Sequence, residues 1–191
     1  SYATRFNLFK LLQVERNEVY THSAFLADLL SPEGTHGQGS LFLESFLKLL
    51  SQKDSKNSDL SGLHRASFQN PRSWLVEKEK PTAFGRLDLV IFSTEQKILI
   101  VIENKIDAIE QKDQLKRYEN WISSQKDRYP TQLLCFLTKN GYDSQTSAKG
   151  DYIKLSYRKE IVAWLEEIRP RVEAAPISEA MKQYIAVVKA L

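Results

Sequence analysis

Asp88, Glu103 and Lys105 are the residues whose types and spacing best suit shared chemistry. Asp88 stands in "GRLDLVIF", and Glu103 and Lys105 close "KILIVIENK"; the polar turn "STEQK" lies between these apolar runs. Both runs read as strands of one hairpin. If its turn is centred near Glu95-Gln96, Phe92 faces Leu99, Val90 faces Val101 and Asp88 faces Glu103. Alternation then puts Asp88, Val90, Phe92, Leu99, Val101, Glu103 and Lys105 on one side. Leu87, Leu89, Ile91, Ile98, Ile100 and Ile102 fall on the other, and both faces are apolar enough to be covered. Directly opposed residues have Cβ atoms about 5 Å apart. Two carboxylates at that distance repel, and burial disfavours both charges. A divalent cation resolves the conflict, since Mg²⁺ takes oxygen ligands at about 2 Å in octahedral geometry. Lys105 points the same way as Glu103 and can offset negative charge or orient a water or a phosphate oxygen. Spacing alone does not separate this reading from a structural ion-pair cluster. A register slip of two would keep the faces but set the acids diagonally.

The elements that must carry these residues follow from periodicity. Residues 5–30 read as helix, with a break near Arg16-Asn17, and Pro32 ends it. "SLFLESFLKLLSQ" is a second amphipathic helix with Ser40 as N-cap. Residues 53–73 are polar, a loop or a short helix around Leu60–His64. Strands follow at 74–80, 85–92 and 97–105, a helix at 108–125, a strand at 131–139, a loop, and a strand at 152–157. Helices at 158–168, ended by Pro170, and at 177–191 close the chain. The fold class predicted is α/β, a mixed central β-sheet flanked by helices on both faces. One domain spans 1–191, with N-terminal helices to 52, a core at 73–157 and C-terminal helices from 158.

An Asp near the start of one strand and (Asp/Glu)-x-Lys at the end of the next resembles the PD-(D/E)XK nuclease superfamily. Here these are Asp88 and Glu103-Asn104-Lys105. The helix after them carries "QLKRY", and Gln114 with Tyr118 resembles the Gln-x-x-x-Tyr motif of RecB-type members. "HSAFLADLLSPEGTHGQGSLFLESFL" and "QYIAVVKAL" resemble the flanks of a bacterial, uncharacterised PD-(D/E)XK family, so the likeness covers most of the chain. One departure is Leu87, where the motif often has Pro.

The resemblance implies a restriction-endonuclease-like core and metal-dependent hydrolysis of phosphodiester bonds. Asp88 and Glu103 would bind Mg²⁺ or Mn²⁺ with the Asn104 carbonyl, and Lys105 would position the water. Gln114 and Tyr118 would abut the site, with Gln111 one helical turn earlier. Members often add an acid from the helix before the sheet; Glu18 and Glu44 are candidates, and His22 lies one turn from Glu18. Glu79, or Glu77 on the same strand face, could also join the acids. Each has a plainer reading: solvated helix glutamates, a core histidine, an ordinary amphipathic helix.

The net charge of +3 decides little about partners. Arg86, Lys112, Lys116 and Arg117 cluster in sequence around the site, and Lys139, Lys149, Lys154, Arg158 and Lys159 follow. They could hold phosphates without reading sequence, or simply be solvated. Cys135 alone excludes an intrachain disulfide framework and Cys-rich zinc sites, and it reads as a core thiol. His36 and His64 read as loop residues, and scattered histidines argue against zinc. No stretch reaches the length of a membrane span, and cytoplasm is the expected location. The expected partner is nucleic acid, DNA first, in defence or repair. An RNA nuclease and a non-catalytic binding module on the same scaffold stay open, as do a homodimer and a missing C-terminal region.

Overall fold

The computed structural model describes residues 5–53 and 70–191. The short helix weighed at Leu60–His64 lies outside them, as does His64.

A five-stranded sheet in the order β1-β2-β3-β4-β5 forms the centre. The strands are β1 Trp74–Thr82, β2 Gly85–Ser93, β3 Ile98–Lys105, β4 Thr131–Thr138 and β5 Ile153–Ser156. Short turns join the first three strands, which are therefore antiparallel. A helical crossover separates β3 from β4, and these pair in parallel, as do β4 and β5. The β2–β3 register is the expected one, with Phe92 on Leu99 and Val90 on Val101. The ladder ends at Leu89–Ile102, so Asp88 and Glu103 lie one step past its last pair.

Both faces are covered. Leu89, Ile91, Ile98, Ile100 and Ile102 face the larger core, built with α2 Ala24–Leu30, α3 Leu41–Lys53, α5 Val162–Ile168 and α6 Ala175–Ala190. Val90, Leu99 and Val101 face the smaller core, where α4 Gln114–Ser124 supplies Leu115, Tyr118 and Ile122. Cys135 is buried in the larger core. A short helix, α1 Leu8–Leu11, docks on α6 through Asn7, whose amide donates to the Gln183 carbonyl at 2.8 Å.

Three expectations need correction. Leu87 packs in the smaller core with Val90, not beside Leu89. The cause is local: the β1–β2 ladder skips the position of Glu79 and Asp88, where Glu79 adopts a left-handed φ of 54°. Such an irregularity shifts side-chain alternation, as a bulge does. Second, the N-terminal helix is interrupted over residues 12–17, a wider break than Arg16-Asn17. The Asn17 side chain accepts the Tyr20 N–H and caps a π-helical turn, Glu18–Ser23, that runs into α2. Third, the helix expected from 108 begins only at Gln114. Asp113 before it is left-handed, and three N–H groups of the preceding segment bond to Glu18 instead. Gln111 is therefore off the helix.

Candidate active site

The carboxyl end of β3 delivers Glu103, Asn104 and Lys105, all buried. Side chains alternate there, so Glu103 and Lys105 face α4 while Asn104 faces the larger core. β2 brings in Asp88, half-buried, whose Oδ2 accepts the Asn104 N–H at 2.8 Å. Asp88 lies close enough for its charge to act on the Glu103 carboxyl.

The two oxygens of Glu103 differ sharply. Oε1 accepts from the Gln114 amide at 2.6 Å and sits 3.0 Å from the Lys105 ammonium. Oε2 is buried and has no donor. Burial pushes the Glu103 carboxyl well above its ordinary value, and the charge on Asp88 adds to this. Burial raises Asp88 too, although the Asn104 N–H and Lys105 favour its charged form. For Lys105 burial opposes the ammonium, but Glu103 and Asp88 outweigh it and the net direction is upward. Two acids and one cation leave negative charge in a dry place, and a bare carboxylate oxygen there fits a cation.

Gln114 is itself held. Its Oε1 accepts the Gln111 N–H at 3.0 Å, and its amide reaches the Tyr118 hydroxyl at 3.3 Å. Tyr118 donates to the Arg86 carbonyl on β2. The α4 motif residues therefore orient Glu103 and tie the helix to the strand that carries Asp88. Burial holds the Tyr118 hydroxyl protonated far above its ordinary range.

Asn104 has no spare side-chain capacity toward the acids. Its amide donates to Ser23 Oγ at 3.0 Å and to the Glu18 carbonyl at 3.2 Å, and its oxygen accepts from Tyr157 at 2.9 Å. Only its main-chain groups are placed to serve the site. Tyr157 and Ser23 carried no sequence signal for this, because their contacts span the whole chain.

Glu18 Oε1 accepts the N–H groups of Ile106, Asp107 and Ala108 at 2.7, 3.0 and 3.1 Å, and so fixes the chain leaving Lys105. His22 is not brought to the acids: its Nε2 meets the Glu15 carbonyl at 2.9 Å and its Nδ1 the Tyr184 hydroxyl at 2.8 Å. A ring nitrogen facing a carbonyl must donate, so Nδ1 accepts from Tyr184. Burial lowers the His22 imidazole below its ordinary value, which keeps it neutral. Glu44 accepts from Ser40 at the start of α3. Glu77 pairs with Lys80. Glu79 lies near Asp88 but pairs with Arg86 at 2.6 Å. Arg86 and Lys112 are exposed, while the Arg117 guanidinium donates to the Phe84 carbonyl at 3.1 Å and to the Lys112 main-chain carbonyl. His36 is buried in the loop before α3. Among the described residues no group of three or more His, Cys, Asp or Glu forms a metal cluster. The donors at hand are two carboxylates and main-chain oxygen.

A family model described as the PD-(D/E)XK nuclease superfamily matches residues 6–186. No curated protein and no solved structure matches the chain.

Proposed function

The chain belongs to the PD-(D/E)XK nuclease superfamily, and from that premise we propose that it is a metal-dependent nuclease that hydrolyses phosphodiester bonds in DNA. Superfamily members typically use divalent metal ions. Asp88, Glu103 and the Asn104 carbonyl would hold Mg²⁺ or Mn²⁺, and the bare Oε2 of Glu103 is the observation that carries this reading. Such an ion supplies polarisation of the phosphate and a more acidic water. The residues around it have separate duties. The Asn104 N–H fixes Asp88, so one of its oxygens has a set direction. Gln114 and Lys105 occupy Oε1 of Glu103 and leave Oε2 without a partner. Lys105 keeps its proton here and can bind a phosphate oxygen or orient a water. Glu79 would add a further acid at the edge of the pair, with Arg86 as its counter-ion and a phosphate contact. Glu18 acts by fixing the exit of β3, and Lys112 and Arg117 would flank the substrate. The whole chain, 1–191, works as one unit in the cytoplasm in this reading; no described helix is long and apolar enough to cross a membrane.

The test is cleavage of plasmid and single-stranded DNA with Mg²⁺ or Mn²⁺, with RNA in parallel. Asp88→Asn and Glu103→Gln should each abolish nicking and remove metal-induced thermal stabilisation. Stabilisation by Mn²⁺ that persists in both variants, with no cleavage by the parent, would leave only a binding module.

A further inference from the structure

Next to Glu103 in the β3–β4 register stands Phe136, and next to Lys105 stands Thr138. The Tyr142 ring packs edge-on against Phe136 with centroids 5.8 Å apart, yet Tyr142 is 45% exposed. Its hydroxyl lies within the field of Glu110, Glu18 and Lys105. An aromatic ring thus leads from the buried acids to solvent at the carboxyl ends of two parallel strands.

The loop that carries it has no regular structure, yet it is firmly held. Thr138 Oγ1 accepts the N–H groups of Gly141 and Tyr142 at 2.8 and 3.2 Å. The Ser144 N–H donates to the Tyr152 hydroxyl at 2.8 Å, and the Tyr152 ring, just before β5, also packs edge-on against Phe136. Glu110 accepts from Ser144, Gln145 and Thr146. The buried carboxylate of Glu119 accepts from Ser147 and Ala148. So many bonds preorganise an exposed ring, which lowers the entropy cost of binding anything to it.

Cations stand at the same strand ends. The Asp107 carboxylate takes Arg16 in a two-pronged contact at 2.6 and 2.5 Å and Lys139 at 2.9 Å. Two positive groups share one negative group, and Arg16 is half exposed, while Glu18 and Glu110 stand close by, so the cations here are partly offset.

A preorganised aromatic face beside cations is the pairing by which unpaired nucleotides are bound; in a duplex the base faces are already stacked. We propose that Tyr142 stacks on an unpaired base beside the scissile phosphate, with Arg16 and Lys139 on neighbouring phosphates, so that this site takes single-stranded nucleic acid. This rests on the nuclease reading for the location of the scissile phosphate.

Fluorescence anisotropy of labelled oligothymidylate, oligouridylate and a DNA duplex tests it, with Asp88→Asn as the background that blocks turnover. A single strand should bind more tightly than the duplex, and whichever of the two single strands binds better identifies the sugar. Adding Tyr142→Ala or Tyr142→Leu should weaken single-strand binding on the order of tenfold, given what stacking one base contributes. Leu keeps bulk against Phe136, so its loss separates stacking from packing; Tyr142→Phe should bind as the parent does. Arg16→Ala should flatten the dependence of binding on salt. Unchanged binding in both Tyr142→Ala and Tyr142→Leu, or a parent that prefers the duplex, overturns the proposal. Failure of the unmutated protein to cleave any nucleic acid with Mn²⁺ would instead sink the nuclease reading, and Tyr142-dependent single-strand binding would still stand.

Discussion

Glu103 is the residue at which the folded chain departs most from what its own side chains would prefer. Its Oε1 has two partners and its Oε2 has none, in a place that burial makes hostile to charge. Two predictions follow from that asymmetry. The first concerns pH. A carboxyl raised in the folded state favours folding at low pH, and that stability is lost as pH rises from the ordinary 4.5 through the raised value. With a chelator present, melting temperature should therefore fall over this window more steeply in the parent than in Glu103→Gln. Saturating Mg²⁺ should shrink the difference, because a cation binds the ionised form. Equal slopes in both proteins would show that Glu103 is not the strained group. The second concerns Gln114, which orients Glu103 without adding charge. Gln114→Ala should lower metal affinity or turnover by about 10- to 100-fold, as loss of an orienting partner does. Metal-titrated thermal shifts would read it, and an unaltered titration would mean that Gln114 only packs. That Asp88 and Glu103 reach the same end of neighbouring strands was legible in the sequence, because a short hairpin fixes the register, although the ladder stops one pair before them. The division of labour between the two Glu103 oxygens was not, since it depends on rotamers.

Elements explain why the reading failed where it did. A helix from Ala108 suits the residue pattern, but Asp113 is left-handed, which no turn of a right-handed helix allows, and the N–H groups of residues 106–108 are held by a distant acceptor. Glu18, 88 residues earlier than Ile106, takes them, and no local signal announces a partner that far away. The same is true of Glu79, whose left-handed φ lies where the pattern reads as plain strand. The element-level consequence is testable at Glu18. Removing its carboxylate leaves three N–H groups without their charged acceptor, two of them on exposed residues that water can reach, at a cost of about 1–3 kcal/mol in all. Glu18→Ala should lower the melting temperature and speed amide exchange at residues 106–108, while Glu18→Gln, which keeps one oxygen, should restore much of both. Exchange that stays slow in Glu18→Ala would show that the segment is held by packing alone.

At the scale of the whole molecule, the site is assembled by parts that lie far apart in sequence. Strand order and both apolar faces could be read from short runs, but the clamp on Asn104 could not, for it draws on Ser23 before the sheet and Tyr157 after it. His22 shows the same limit: it lies one turn from Glu18, yet its ring belongs to a buried cluster with Tyr157 and Tyr184. The clamp links the stability of the larger core to the geometry of the acids, because Asn104 also supplies the N–H that fixes Asp88. Tyr157→Phe removes the donor to Asn104 Oδ1 and leaves that oxygen buried, a loss of about 1–3 kcal/mol. Ser23→Ala removes an acceptor from the same amide. Two changes acting on one side chain should not add, and the double variant should differ from the sum of the singles by at least about 0.5 kcal/mol. Tyr129→Phe, in the smaller core and near Thr94, serves as the comparison and should add with Ser23→Ala more nearly. If the Asn104 clamp holds the acids, Tyr157→Phe should also weaken metal-induced stabilisation under conditions where the protein is fully folded. Additive melts together with unchanged metal titrations would mean that Asn104 merely fills the core and that the site is positioned by β2 and β3 alone.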